Sequence, residues 1–335
     1  MPDAHPSILV HTNAARFQEY APKDDPFVGH AHPVFVPAGA TAEEIAELGA
    51  SCEMCVVDAI TPMPKELIRA LPKLKLIHSE GVGFNAIDCA AAAEQGIYVC
   101  NCKGANAPSV AEQAILLMLG VLRKVVPYDR AVREGRQFET KTKAFAEGCA
   151  ELGECHIGLV GLGDCGSAVA ERLQGFGCSV SYWSAHRRPE DIERKLHVSY
   201  LPLDRLLATS DIVSLHVAVT PETKGMADAS FLDAMPEGSI LINTARGELV
   251  DNDALIAALT SDHLAGAGLD TVAPEPVLPY NPLLLLPPDI ASRILFSPHV
   301  GGSSKSSFRR AHRMIWSNIE AVFEGRRPIN IVNGL

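Results

Sequence analysis

Three short apolar runs in this chain are each followed at once by residues that could do chemistry. Ile240-Leu-Ile242 leads into Asn243-Thr-Ala-Arg246-Gly, Ala267-Gly-Leu269 into Asp270-Thr-Val-Ala-Pro-Glu275-Pro, and Ile294-Leu-Phe296 into Ser297-Pro-His299-Val-Gly-Gly302. Arginine, carboxylate and histidine at strand carboxyl ends suit the reduction of a ketone beside a carboxylate. A guanidinium anchors an anionic α-keto acid and polarises its carbonyl, and histidine gives a proton to the oxygen as hydride arrives. A carboxylate nearby favours the imidazolium. Each residue alone is more often structural, but three in this order and position are not easily dismissed.

A hydride needs a carrier, and Cys155-His-Ile-Gly-Leu-Val-Gly-Leu-Gly-Asp-Cys-Gly166 has the form of a dinucleotide site. An apolar strand, Ile157 to Val160, runs into Gly161, Leu162, Gly163, Asp164, Cys165 and Gly166, and then into a helical Ser167-Ala-Val-Ala-Glu-Arg-Leu-Gln174. Gly161 allows the turn, Gly163 lets backbone approach a pyrophosphate, and Gly166 lets the helix sit close on the strand. The helix then offers free N–H groups and the positive end of its dipole to phosphate. The bland alternative is a glycine turn between two ordinary elements. Cys165 at this helix start would have a stabilised thiolate and be open to oxidation, against the plainer reading of an inert small residue.

In NAD-binding turns an acid about 20 residues on holds the ribose hydroxyls. Eighteen residues after Gly166 stands Ser184, in Tyr182-Trp-Ser-Ala-His-Arg-Arg188. A hydroxyl there does not repel a 2′-phosphate, and Arg187 and Arg188, with His186, could neutralise one. NADP(H) is therefore expected over NAD(H), the alternative being a solvated basic loop.

The elements that must position these groups come in two alternating series. In the first hundred residues Ile8 to Val10, Val34 to Val36, Cys55 to Val57, Leu74 to Ile77 and Ile97 to Val99 read as buried strands. Helical stretches lie between them, one opened by a Thr41/Glu44 capping box and another closed by Gly96. Ser79-Glu-Gly-Val-Gly-Phe84 follows a strand directly, so Val82 and Gly83 are candidates to offer N–H groups to a carboxylate; a plain glycine turn is a comparable reading. Asn106 to Arg123 reads as a helix connecting domains, and Arg133 to Lys143 as an exposed polar arm. The second series has strands at 157–160, 179–183, 212–216, 239–242, 267–269 and 294–296, six strands with five helical connections. A last helix from Ser303 to Glu324, with an apolar stripe through Arg309, Ala311, Met314, Ile315, Asn318, Ile319 and Phe323, is expected to return to the first domain, leaving the active site in a cleft between two sheets.

Composition sets the outer bounds. A chain of 335 residues with 47% hydrophobic and 21% charged residues has the balance of a globular protein of about two domains. A formal charge of -11 argues against nucleic acid or an anionic membrane as partner. No apolar run approaches the roughly 20 residues of a membrane span, and Met1-Pro-Asp-Ala-His-Pro lacks a basic leader. Nine cysteines, an odd number set among apolar neighbours, point to a reducing, cytoplasmic setting. No metal is expected: Cys52-x-x-Cys55 and Cys100-x-Cys102 have no further pair or histidine at zinc-site spacing.

Taken jointly, Gly81-Val-Gly83, Val110-Ala-Glu112, the Gly161 to Gly166 turn, Asn243-Thr-Ala-Arg-Gly247, Leu269-Asp270 with Glu275-Pro276, and Ser297-Pro-His-Val-Gly-Gly302 resemble the D-isomer-specific 2-hydroxyacid dehydrogenases, close to the glyoxylate and hydroxypyruvate reductase branch. The resemblance covers nearly the whole chain. It implies an α/β fold of two doubly wound parallel-sheet domains, a Rossmann cofactor domain (105–299) inserted in a flavodoxin-like substrate domain (1–104 and 300–335). It implies that Arg246 binds substrate, Glu275 supports the histidine, His299 is the acid/base, Asp270 holds the nicotinamide carboxamide, and Val82 and Gly83 bind the substrate carboxylate. Val110, Thr244, Ala245 and Gly301 join the glycine turn and the 184–188 loop as cofactor contacts. The family is dimeric through its cofactor domains, so the segment 107–150 is expected at a homodimer contact. Asp164 stands where a basic or amide residue is usual, which leaves only its backbone N–H to help, and Gln137-Phe138 stands where many relatives have tryptophan. Glu80 beside the substrate loop argues mildly against a dicarboxylate substrate, a solvent-facing side chain being the simpler expectation. A cofactor-sensing binding protein or corepressor is the alternative from another class. A phosphorylated-substrate enzyme of serine synthesis is disfavoured by Glu80 and by the short stretch after the last helix.

Overall fold

The structure, a computed structural model, describes residues 5–335; residues 1–4, on which the reading of the leader mostly falls, lie outside the described residues. The chain forms two compact units, one of residues up to Asn106 together with Ser303–Leu335, the other Ala107–Gly302.

In the first unit β1 (Ser7–His11), β2 (His32–Phe35), β3 (Met54–Val57), β4 (Leu76–Ser79) and β5 (Tyr98–Cys100) form one parallel sheet in the order β2-β1-β3-β4-β5. This is the flavodoxin-like order. Successive side chains alternate between faces, so Leu9, Cys55 and Ile77 pack into one core and Ile8, Val56 and Leu76 into the other. Because both faces are covered, β3 and β4 are buried throughout, which is why β3 reads as an unbroken apolar run and not as alternation. The capping box at Thr41 and Glu44 is present, and Gly96 takes a positive φ of 69° just after the helix Cys89–Glu94. The last helix, Lys305–Phe323, buries Ala311, His312, Ile315, Trp316, Ile319 and Val322, whereas Arg309, placed in the stripe from sequence, is exposed. The true face contains a histidine and a tryptophan that apolar spacing alone passes over.

In the second unit β6 (His156–Val160), β7 (Ser179–Trp183), β8 (Ser199–Tyr200), β9 (Ile212–Leu215), β10 (Ser239–Asn243), β11 (Leu264–Leu269) and β12 (Ile294–Phe296) pair in parallel in the order β12-β11-β10-β9-β6-β7-β8. The order in which strands are added reverses between β6 and β9, the crevice at which such folds bind dinucleotides. It has seven strands, not six: β8 is a two-residue edge strand, too short for any periodicity to show. The helix Ala107–Leu122 is no mere connector. Leu117 and Met118 pack with Ile157, Ile240 and Ile242, and the Leu117 Cβ lies 2.8 Å from where a side chain on Gly268 would begin. A helix apolar over most of its surface is one buried against a sheet. The polar stretch read as an arm is two helices, Val125–Arg133 and Gln137–Glu147, whose charges pair along the helix as Arg133 with Asp129 and Lys143 with Glu147. Among the described residues no helix is long and apolar enough to cross a membrane, and no three His, Cys, Asp or Glu side chains cluster as metal ligands.

Strand register decides the position of the site. Trp183, Val160, Leu215, Asn243, Leu269 and Phe296 are successive Cα partners, one row across six strands. All strands being parallel, the chain leaves each of them on the same edge of the sheet.

Candidate active site

The glycine turn leaves that edge first. Gly161 has φ 108°, and a Cβ there would meet the His216 carbonyl at 2.8 Å; a Cβ on Gly166 would stand 2.1 Å from the Gly161 oxygen. Both positions therefore require glycine. Around Gly163, in contrast, the protein leaves open space within 4 Å. The helix Asp164–Leu173 begins at Gly163 with no side-chain cap, so its first N–H donors are left to an external acceptor. The residues present thus fit a pyrophosphate. Cys165 differs from the expectation: burial, with Asp164 beside it, pushes its thiol up to about 11 despite the Arg246 charge, so the thiolate is disfavoured. His216, which sequence reading passed over as a strand end, is half-buried, its Cβ 3.6 Å from where a side chain on Gly166 would begin. Burial lowers it to about 4, and its Nε2 contacts Ser214 Oγ at 2.9 Å.

At the end of β7 the Ser184 hydroxyl accepts from the Leu162 N–H at 2.9 Å and so braces the glycine turn. Arg187 does not stand free. Its Nε and Nη2 donate to the two oxygens of Glu193 at 2.8 Å each, and its guanidinium lies over the Tyr200 ring. The Tyr182 hydroxyl donates to the same carboxylate at 2.7 Å and accepts from the Arg188 N–H. Arg187 and Tyr182 together hold the Glu193 carboxyl at about 2. His186 and the Arg188 side chain are exposed, and neither has an acidic partner among the described residues.

After β10, Asn243 is fully buried and shapes the next loop. Its Oδ1 accepts from the Ala245 N–H at 3.0 Å and its Nδ2 donates to the Arg246 carbonyl at 2.8 Å. This turns the Arg246 side chain outward, where it is exposed and donates through Nη1 to the Ala245 carbonyl. Thr244 is buried, and its Oγ1 has no partner among the described residues. Val110 lies buried in the helix Ala107–Leu122.

After β11 and β12 the geometry is tightest. Asp270, 3% exposed, accepts from Ser297 Oγ and from the Val300 N–H (3.0 Å) on Oδ1, and from the Gly301 N–H (2.9 Å) on Oδ2. Its own carbonyl accepts from the His299 N–H at 2.8 Å. Gln113 adds an amide donated to Ser297 Oγ at 2.9 Å. Asp270 therefore anchors the histidine loop, and a spare lone pair on Oδ2 is what it has left for a ligand amide. Held this way, His299 takes φ 54°, and its Nδ1 lies 2.8 and 3.0 Å from the oxygens of Glu275. A carboxylate at Nδ1 places that proton on Nδ1 and leaves Nε2 to exchange the other. Both side chains are a little over 40% exposed, as a group that meets a ligand must be.

In the first unit the loop after β4 has three successive carbonyls engaged. That of Gly81 accepts from the Cys102 N–H at 2.9 Å, that of Val82 from Asn101 Nδ2 at 2.7 Å, and that of Gly83 from Ser79 Oγ at 2.6 Å. The N–H groups of Val82 and Gly83 have no partner among the described residues. Glu80 overturns the sequence expectation of a solvent-facing side chain: it is 6% exposed and bound by Thr12, Arg16 and His312. A carboxylate tolerates burial when cations and donors surround it, and all three of these partners come from segments too distant in sequence to have been foreseen. With its charge spent on Arg16, Glu80 no longer argues about the substrate's charge.

A family description for the D-isomer specific 2-hydroxyacid dehydrogenase, NAD binding domain, matches residues 115–301. The chain belongs to that family. It is 38% identical over 289 residues to a glyoxylate reductase of Korarchaeum cryptofilum (86% of this chain, 85% of that one) and 34% identical over 293 residues to a glycerate dehydrogenase of Methylorubrum extorquens (87% and 89%). Among solved structures, a putative D-isomer specific 2-hydroxyacid dehydrogenase, NAD-binding, from a Polaromonas species superposes with a TM-score of 0.82 at 29% identity, covering 98% of this chain and 100% of that one. A D-2-hydroxyacid dehydrogenase is an oxidoreductase of the CH–OH group that uses a nicotinamide cofactor, and the α/β architecture of two parallel sheets is the one the family shares.

Proposed function

We propose that this dehydrogenase reduces a small 2-keto acid, of the size of glyoxylate or hydroxypyruvate, to the D-2-hydroxy acid, with reduction favoured over oxidation. The observation that carries it is the row of strand ends in register, from which Arg246, Asp270 with Glu275, and His299 leave on three neighbouring strands. The nicotinamide, when bound, supplies the hydride. Arg246 binds the carboxylate and draws density from the carbonyl. His299 delivers the Nε2 proton to the carbonyl oxygen, and Glu275 at Nδ1 stabilises the imidazolium that makes the delivery possible. Val82 and Gly83 offer their free N–H groups to the substrate carboxylate. Gly161, Leu162, Gly163, Asp164, Cys165 and Gly166 hold the pyrophosphate, with Val110, Thr244, Ala245, Asp270 and Gly301 toward the nicotinamide.

NADPH is the proposed donor. Ser184 replaces the acid that would repel a 2′-phosphate, and Arg188 and His186 are exposed beside it, while Arg187 is shared with Glu193. The relatives named glyoxylate reductase, glycerate dehydrogenase and hydroxypyruvate reductase support the small substrate. We also assign a homodimer through the helices Val125–Arg133 and Gln137–Glu147, whose Val125, Val126, Val132, Phe138 and Phe145 are exposed apolar side chains, and a cytoplasmic setting from nine unpaired cysteines. The test is steady-state turnover of glyoxylate, hydroxypyruvate, pyruvate and branched or aromatic keto acids with each cofactor, wild type against His299→Ala. Unchanged turnover in the variant would refute the assignment of the acid.

A further inference from the structure

The chain ends of β1, β3 and β4 in the first unit, together with the last helix, bring a second set of charged groups to one place. Arg16 donates from Nε to Glu80 Oε1 at 2.9 Å and from Nη2 to Glu80 Oε2 at 2.6 Å; the same Nη2 reaches Asp58 Oδ2 at 2.5 Å and Thr12 Oγ1 at 3.0 Å. His312 Nε2 donates to Glu80 Oε1 at 2.8 Å, and Phe308, one helical turn before it, lies under the Arg16 guanidinium at 5.4 Å. Burial pushes the Glu80 carboxyl up, but the bonds from His312, Arg16 and Thr12 outweigh it and hold it at about 2. Compared with apolar side chains filling the same space, such an ion group adds little net stability after desolvation; what it fixes is geometry.

The geometry fixed is that of the next residues in the chain. Glu80 donates its own N–H to Val57 at 2.8 Å, and a side chain on Gly81 would meet Ala59 Cβ at 2.9 Å, so the loop can neither lift nor slide at its start. With the three following carbonyls bound inward, the Val82 and Gly83 N–H groups are left to point away from them. We propose that Glu80 is a positioning residue for the substrate carboxylate: clamped by Arg16 and His312, it sets the aim of the Val82 and Gly83 donors. This rests on the reading of that loop as the carboxylate site and adds to it the residues that tune it.

Glu80→Gln keeps the shape and removes the charge that holds Arg16. It is expected to raise the KM for glyoxylate and the inhibition constant of oxamate together by about tenfold, with kcat and the KM for NADPH changed less than about twofold. A purely structural role would instead lower turnover and shift the KM for NADPH as well, without separating KM from kcat. Should Glu80→Gln fail to fold, Arg16→Lys, which keeps the charge and loses the fork, is read in the same way. Wild-type enzyme that reduces keto acids and is inhibited by oxamate, with a folded variant unchanged in both constants, overturns the proposal. Wild-type enzyme that reduces no keto acid, or that oxamate leaves uninhibited, removes the carboxylate reading beneath it as well.

Discussion

Replacing Asp270 by asparagine tests whether the histidine loop is held as the structure shows. The carboxylate accepts three hydrogen bonds, two on Oδ1 and one on Oδ2, and is 3% exposed. An amide has one acceptor oxygen, so whichever way it turns, its NH2 faces either the Gly301 N–H or the pair formed by the Val300 N–H and Ser297. Ser297 can rotate; a backbone N–H cannot. At least one buried donor then loses its partner, and the rest change from charge-assisted to neutral, at about 1.5–3 kcal/mol for a bond to a charged group. The sum is about 3 kcal/mol, which at roughly 2–4 °C per kcal/mol for a domain of this size lowers the melting temperature by about 6–12 °C. Scanning calorimetry of the full chain measures it. Because the same loop carries His299, kcat for glyoxylate should also fall by about tenfold or more. A variant that melts within about 2 °C of wild type and keeps its kcat would mean that the loop is held by something other than Asp270.

Further outcomes follow from the other contacts. His299→Gln should lower turnover by about 10²–10⁴; in wild type, reduction should fall as pH rises and oxidation as pH falls, and parallel pH limbs in stopped-flow assays would exclude His299 as the proton carrier. Wild type should prefer NADPH, with Arg188→Ala raising its KM more than Arg187→Ala, since Arg187 is held by Glu193; a wild type preferring NADH in steady-state assays would refute the loop assignment. Glu80, at about 2 when folded against the ordinary carboxylate value near 4.5, binds fewer protons folded than unfolded between those pH values. Its contribution, on the order of 2–4 kcal/mol, is present above about pH 5 and lost as pH falls toward 2. Acid unfolding followed by circular dichroism should therefore be shallower in Glu80→Gln, and an identical acid limb would contradict the ion group.

The strands, the glycine turn and the capping box at Thr41 were legible in the sequence because each is written in neighbouring residues. A run such as Met54-Cys-Val-Val57 must be buried on both sides, and the turn at Gly161 and Gly166 leaves no room for a side chain. Loops such as Asn243 to Arg246 could be located for the same reason, as the first residues past a strand. What the sequence could not determine was which side chain meets which across distance. The fate of Glu80 depends on Arg16 and His312, and that of Arg187 on Glu193 one helical turn into the next element. The seventh strand, Ser199–Tyr200, exists only through its pairing with β7. Apolar periodicity records how much of a residue is buried, but a charge is placed by its partner. Only the fold, by setting parallel strands in register and packing a distant helix against one face of their sheet, chose those partners.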